Sequence, residues 1–112
     1  MYQIYGIPNC DTVKKALTHL RKQQLDFEFI SFKKDKPTNT LIKSWKNFFN
    51  DWPVNKRGPT YRKIKDEFEL ANSDQKFLLL IENTSAIKRP ILTYDSQVIC
   101  IGYDVELYDK LK

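Results

Sequence analysis

The 112-residue chain predicts a mixed α/β fold, and three stretches carry that expectation. Near the N-terminus a short β-prone run, an amphipathic helical run and a second β-prone run follow one another. Near the C-terminus two apolar runs flank a turn in the pattern of an antiparallel hairpin. A final helical stripe closes the chain. The order βαβ, helical insert, ββα places parallel and antiparallel strands in one four-stranded sheet.

Tyr2 to Tyr5 is aromatic and β-branched and runs into Gly6 and Pro8, which reads as a strand ending in a turn. From Asp11 to Gln24 the apolar residues Val13, Ala16, Leu17 and Leu20 recur at helical spacing, with Lys14, Lys15, Arg21 and Lys22 on the opposite face. Phe27 to Phe32 is the second strand. A connection of that length between strands favours a right-handed parallel βαβ unit.

Beyond Pro37, Thr38 or Asn39 can cap a helix with an apolar stripe of Leu41, Ile42, Trp45, Phe48 and Phe49. Pro53 lies past its end, and the loop Val54 to Thr60 leads into a weaker helix from about Thr60 to Leu70. Asp74 to Asn83 is apolar enough to predict a helix packed on both sides. Ile91 to Tyr94, the turn Asp95-Ser96-Gln97 and Val98 to Ile101 form the hairpin. Asp104 can then cap a last helix with Leu107, Tyr108 and Leu111 facing inward. The expectation is one domain over residues 1–112, with a helical insert at about 38–86.

Composition narrows the function classes. A net charge of +5 is spread among 14 acidic residues, which describes a solvated basic surface rather than a nucleic-acid-binding arm. The N-terminus has no leader pattern and no apolar run approaches membrane-spanning length, so a cytoplasmic location is expected. Thiols are reduced there, so Cys10 and Cys100 are not expected to pair. One His and two separated Cys make no metal-ligand set, and three glycines make no phosphate-cradling loop.

Cys10 follows Pro8-Asn9 and precedes a helix start, where free N–H groups and the helix dipole favour a thiolate. The residues allow two readings, a nucleophile or a small apolar residue filling a turn, and the strand-turn-helix position favours the first. Asp11 acts in the opposite sense if its carboxylate faces the sulfur. Cys100 lies in an apolar β-run and reads as core. His19, well past the helix start, reads as a partly solvated helix residue. Arg57 and Arg89 both lie in connecting segments, and each is either a surface charge or a bidentate anion holder.

Four motifs occur in order: Tyr5-Gly6-Ile7-Pro8-Asn9-Cys10-Asp11-Thr12-Val13, Asn55-Lys56-Arg57-Gly58, Ile87-Lys88-Arg89-Pro90-Ile91 and Ile101-Gly102-Tyr103-Asp104. Together they resemble the arsenate reductase (ArsC) and Spx superfamily, within it the YffB-like ArsC-related branch. The resemblance implies a thioredoxin-like fold, Cys10 as nucleophile, Arg57 and Arg89 as anion-binding residues, and Asn9 and a cis Pro90 as structural parts of the site. It implies a thiol-dependent oxidoreductase acting on an oxyanion or a mixed disulfide. No bound cofactor is expected. Glutathione or another thiol is the implied co-substrate, a small anionic or glutathionylated molecule the substrate, and glutaredoxin a candidate partner.

The chain also departs from the family pattern. Ile101-Gly102-Tyr103 stands where arsenate reductases carry a third Arg, and Gly6 where a His precedes the Cys loop. Both departures point away from arsenate itself. Val13 occupies the fourth position of the Cys-x-x-Cys switch of Spx-type regulators, so that internal disulfide is excluded. A non-enzymatic, RNA polymerase-binding regulator of the Spx kind is the alternative the resemblance leaves.

Overall fold

The computed structural model describes all residues, 1–112, as two compact units. One comprises Met1–Asp35 and Arg89–Lys112, the other Lys36–Lys88.

The first unit is built on a four-stranded sheet of order β2-β1-β3-β4. Strand β1 (Tyr2–Gly6) is followed by helix α1 (Asp11–Lys22) and strand β2 (Phe27–Ser31). β1 and β2 pair in parallel, Ile4 opposite Phe29. Strand β3 (Ile91–Tyr94) lies antiparallel to β1, with Leu92 opposite Ile4, and β4 (Gln97–Ile101) lies antiparallel to β3. This mixed α/β sheet has the thioredoxin-like arrangement that the resemblance implies.

Helix α1 forms because Val13, Ala16, Leu17 and Leu20 all fall on one stripe, and all four are buried. They pack with Tyr2, Ile4, Leu92, Cys100 and Tyr108 in one core. Each such large apolar side chain contributes roughly 1.5–3 kcal/mol by leaving water. The helix ends with Lys22, and Gln24 takes a left-handed φ of 58° to turn the chain toward β2. The last helix of this unit, Val105–Asp109, is capped by Asp104, whose carboxylate accepts the Leu107 N–H at 3.2 Å. Of its expected inward stripe only Tyr108 is buried, because one and a half turns present too little surface for three.

The hairpin turn is shorter than expected. Asp95 and Ser96 both have positive φ, 47° and 70°, so a two-residue turn suffices and Gln97 begins β4 opposite Tyr94. The Met1 amino group closes on the Asp95 carboxylate at 2.6 Å.

In the second unit, helix α2 (Asn39–Phe49) is capped by Thr38, whose hydroxyl accepts the Leu41 N–H. It buries Ile42 and Trp45 and ends at Asn50, in the left-handed region at φ 60°. Helix α3 (Pro59–Leu70) starts on its proline and buries Tyr61 and Phe68. Helix α4 (Ser73–Glu82) is held by a reciprocal capping box between Asn72 and Gln75. The expectation that α4 packs on both sides is corrected. Only Leu80 is buried, while Leu78 is 54% exposed, because packing partners and not apolar composition decide which face is covered. A 3₁₀ turn, Thr84–Ala86, leads out, and Val54 bridges Ile87. The fifth α-helix, Val105–Asp109, is designated α5.

Candidate active site at the start of helix α1

Cys10 is the N-cap residue of α1. Its backbone is extended (φ −130°, ψ 125°), and its carbonyl accepts the Lys14 N–H at 2.9 Å, the first bond of the helix. The thiol makes no ordinary capping hydrogen bond, so the first-turn amides keep their donors aimed toward the sulfur. Its Sγ is partly buried against the core.

That burial raises the thiol pKa. It is outweighed by the Val13 N–H, by the hydrogen bond and positive charge of Arg89, and by the Thr12 N–H, all of which favour the ionised sulfur. The net direction is down from the ordinary cysteine value. Asp11, the neighbour whose carboxylate would oppose ionisation, is not among the groups acting on the thiol.

Arg89 reaches the sulfur from the segment that leads into β3. The Arg89-Pro90 peptide is cis, and Pro90 is fully buried. The Pro90 carbonyl accepts the Gly102 N–H at 2.8 Å, and β3 begins at the next residue. Arg89 is thereby held on a fixed segment beside α1. The structure brings Cys10, Arg89 and Pro90 into one unit, with Asn9 in the turn preceding the thiol.

Arg57 belongs to the other unit. It is exposed, in a turn closed by the Gly58 N–H on the Asn55 carbonyl at 3.0 Å. The turn is tight at its end, since a Cβ on Gly58 would lie 2.8 Å from Asn55 Nδ2.

Gly6 and Val13, which flank the thiol turn, lie against each other. A Cβ built on Gly6 would approach Val13 Cγ2 to 2.9 Å, and Val13 is completely buried. Gly6 and Val13 are therefore a packed pair. The thiol loop rests on it.

Sequence reasoning missed the role of His19. Its Nε2 lies 2.8 Å from Asp109 Oδ1 and its Nδ1 2.6 Å from the Tyr103 hydroxyl. A carboxylate only accepts, so Nε2 donates its hydrogen to Asp109, while Nδ1 and the Tyr103 hydroxyl share a second hydrogen bond. The ring also packs edge-on against Tyr103 and tilted against Tyr108. His19 ties the C-terminal segment to α1. No local pattern could announce a contact across 84 residues. Cys100 is buried, as its apolar run suggested, and its thiol donates to the Gly102 carbonyl at 3.3 Å.

Comparison with known proteins agrees with this architecture. The sequence profile of the ArsC family matches residues 5–111. An uncharacterised protein of Haemophilus influenzae is 34% identical over 110 residues, covering 96% of both chains. Among solved structures, the YffB protein superposes with a TM-score of 0.83 at 26% identity, over 97% of this chain and 96% of that one. An arsenate reductase (ArsC) related protein from Brucella melitensis gives a TM-score of 0.72 at 30% identity, over 98% of this chain and 95% of that one. The match runs through the Cys10 turn, the Arg89-Pro90 segment and nearly everything between and beyond them, and on that basis the chain belongs to the ArsC family.

Proposed function

We propose that this protein is a thiol-dependent, arsenate reductase-like oxidoreductase in which Cys10 is the nucleophile and glutathione completes the cycle. The observation that carries the reading is the thiol at the head of α1 with Val13 N–H, Thr12 N–H and Arg89 all favouring its thiolate. The family membership and the arsenate reductase relation of the Brucella melitensis neighbour support the same chemistry.

On a glutathionylated substrate the Cys10 thiolate attacks the glutathione sulfur. The substrate–glutathione S–S bond breaks, a Cys10–glutathione disulfide forms, and the substrate sulfur leaves as a thiolate that takes a proton from water. A second glutathione, as thiolate, attacks the glutathione sulfur of that disulfide. Glutathione disulfide departs and the Cys10 thiolate returns. In sum one free glutathione exchanges with the glutathionylated substrate, giving the substrate thiol and glutathione disulfide, and Cys10 is regenerated. Arg89, beside the sulfur, serves both to hold the thiolate and to meet a carboxylate or oxyanion of the substrate. Arg57 is assigned the same anion-holding role through the family motif. With Val13 in the resolving position, no second protein thiol in the turn competes with glutathione.

The reading is tested by mass spectrometry and turnover on a glutathione mixed disulfide. The wild-type chain is expected to gain one glutathione and to lose it to excess free glutathione. Cys10→Ser should do neither, and an adduct that persists in that variant overturns the assignment.

A further inference from the structure

Residues along α1, the helix that Cys10 caps, line a groove of about 910 Å³. On a helix, positions four apart stack on one face, so Lys14, Thr18 and Lys22 form one row of α1 and Asp11, Lys15 and His19 the next, with Cys10 and Gln23 as the cap residues at the two ends. Six of these eight residues line the groove, and its opposite wall comes from Tyr103, Val105 and Asp109. The groove therefore runs along α1 from one turn, about 6 Å, beyond the thiol.

Its charge is net positive, three ammonium groups against one carboxylate. Lys14, Lys15 and Lys22 contribute three ammonium groups, and none makes an ion pair with a carboxylate. The one lining carboxylate, Asp109, is engaged by His19, and the Tyr103 hydroxyl is committed to the other ring nitrogen. Asp104, nearby at the start of α5, is used in capping that helix. Val105, 52% exposed, adds an apolar spot between the lysines and the hydroxyl wall.

We infer that this groove is a docking site for an acidic polypeptide segment whose oxidised cysteine is delivered to Cys10, making the substrate class an acidic protein disulfide rather than a free small oxyanion. The inference rests on the nucleophilic-thiol part of the reading above, and it moves the attack from the glutathione sulfur to the substrate's own cysteine sulfur. Carboxylates three to four residues from the reacting cysteine reach the lysine rows while its sulfur stands over the helix start. In the reaction the Cys10 thiolate attacks the segment's cysteine sulfur, the S–S bond to its former partner breaks, and that partner leaves as a thiolate. One disulfide replaces another, so no further oxidant is needed. Long-range attraction between three lysines and an acidic segment raises the encounter rate and fades with salt.

Three mixed disulfides with thionitrobenzoate test this: an acidic peptide with Glu and Asp flanking its cysteine, the same peptide with Lys in their place, and free cysteine. Release of the coloured thionitrobenzoate anion reports attack at the peptide sulfur, with the adduct mass identifying that sulfur. At low salt the acidic peptide should exceed the lysine peptide about tenfold in second-order rate, a ratio within the range of electrostatic steering. The ratio should collapse in high salt and in K14E/K15E/K22E. A control of equal charge change elsewhere on the surface, K43E/K63E/K65E, should keep most of it. Equal rates for the two peptides, or the same loss in the control, overturn the docking site while leaving the thiol chemistry standing. Absence of release from all three overturns both.

Discussion

Replacing Arg89 by Gln removes a positive charge and the donor geometry of a guanidinium from the side of Cys10 without removing the helix start. Burial would then be opposed only by the Val13 and Thr12 amides, and the thiol pKa should move up from its wild-type position. The check is the pH midpoint of thiol alkylation, compared between the two chains. The same asymmetry ties the residue to stability. Cys10 is an acid whose folded pKa lies below its unfolded one. Its contribution is therefore fully present above the unfolded value and is lost as pH falls through the folded value. Cys10→Ser should flatten that part of the stability profile. Much of this was legible in sequence, since a Cys after Pro8-Asn9 at a helix start already predicts a thiolate. Arg89 gained its weight only through the resemblance, because its approach to Cys10 spans 79 residues of chain.

At the scale of the element, the turn that presents Cys10 depends on Gly6 lying against Val13. Gly6→Ala forces a carbon to within 2.9 Å of Val13 Cγ2, and Val13 is completely buried with nowhere to retreat. The expected cost is about 1–3 kcal/mol of unfolding free energy. Gly6→Ala combined with Val13→Ala should cost less than the two single changes added together, because the smaller side chain vacates the clash. Denaturant unfolding of the four chains measures this. Both positions read as family departures in the sequence, but their mutual contact did not, since a glycine's neighbours leave no periodic trace. Helix α1 was the most legible element, its four buried residues being the four of the sequence stripe. Helix α4 was the least, because Phe77, Leu78 and Ile81 carry the composition of a buried helix yet are not buried. The two-residue hairpin turn escaped for a related reason. Nothing in Asp95-Ser96 announces that both residues accept positive φ, which the pairing of Tyr94 with Gln97 imposes.

At the scale of the whole molecule, a mixed four-stranded sheet was legible from the order of periodic segments, while the placing of β1 and β3 at its centre came only with the structure. Parallel pairing of β1 and β2 followed from the helix between them, and antiparallel β3 and β4 from the short turn. The second unit, Lys36–Lys88, covers the stretch that the sequence sets apart as a helical insert at about 38–86. Ile4 on β1 and Ile91 and Leu92 on β3 have no exposure, and each strand is flanked on both sides. Their amides should exchange with solvent most slowly of any in the first unit, and those of the edge strand β4 facing away from β3 much faster. Hydrogen exchange measured residue by residue checks this directly.

The central claim is that the fold holds Cys10 as a ready thiolate. Its most direct test is the rate of iodoacetamide alkylation against pH for the full chain, with Cys10→Ser as the blank that removes any contribution from buried Cys100. The account predicts a single titration with its midpoint below the ordinary cysteine value of about 8.5, and no corresponding reaction in the blank. A midpoint at or above that value, or a reaction rate that survives in Cys10→Ser, would contradict it.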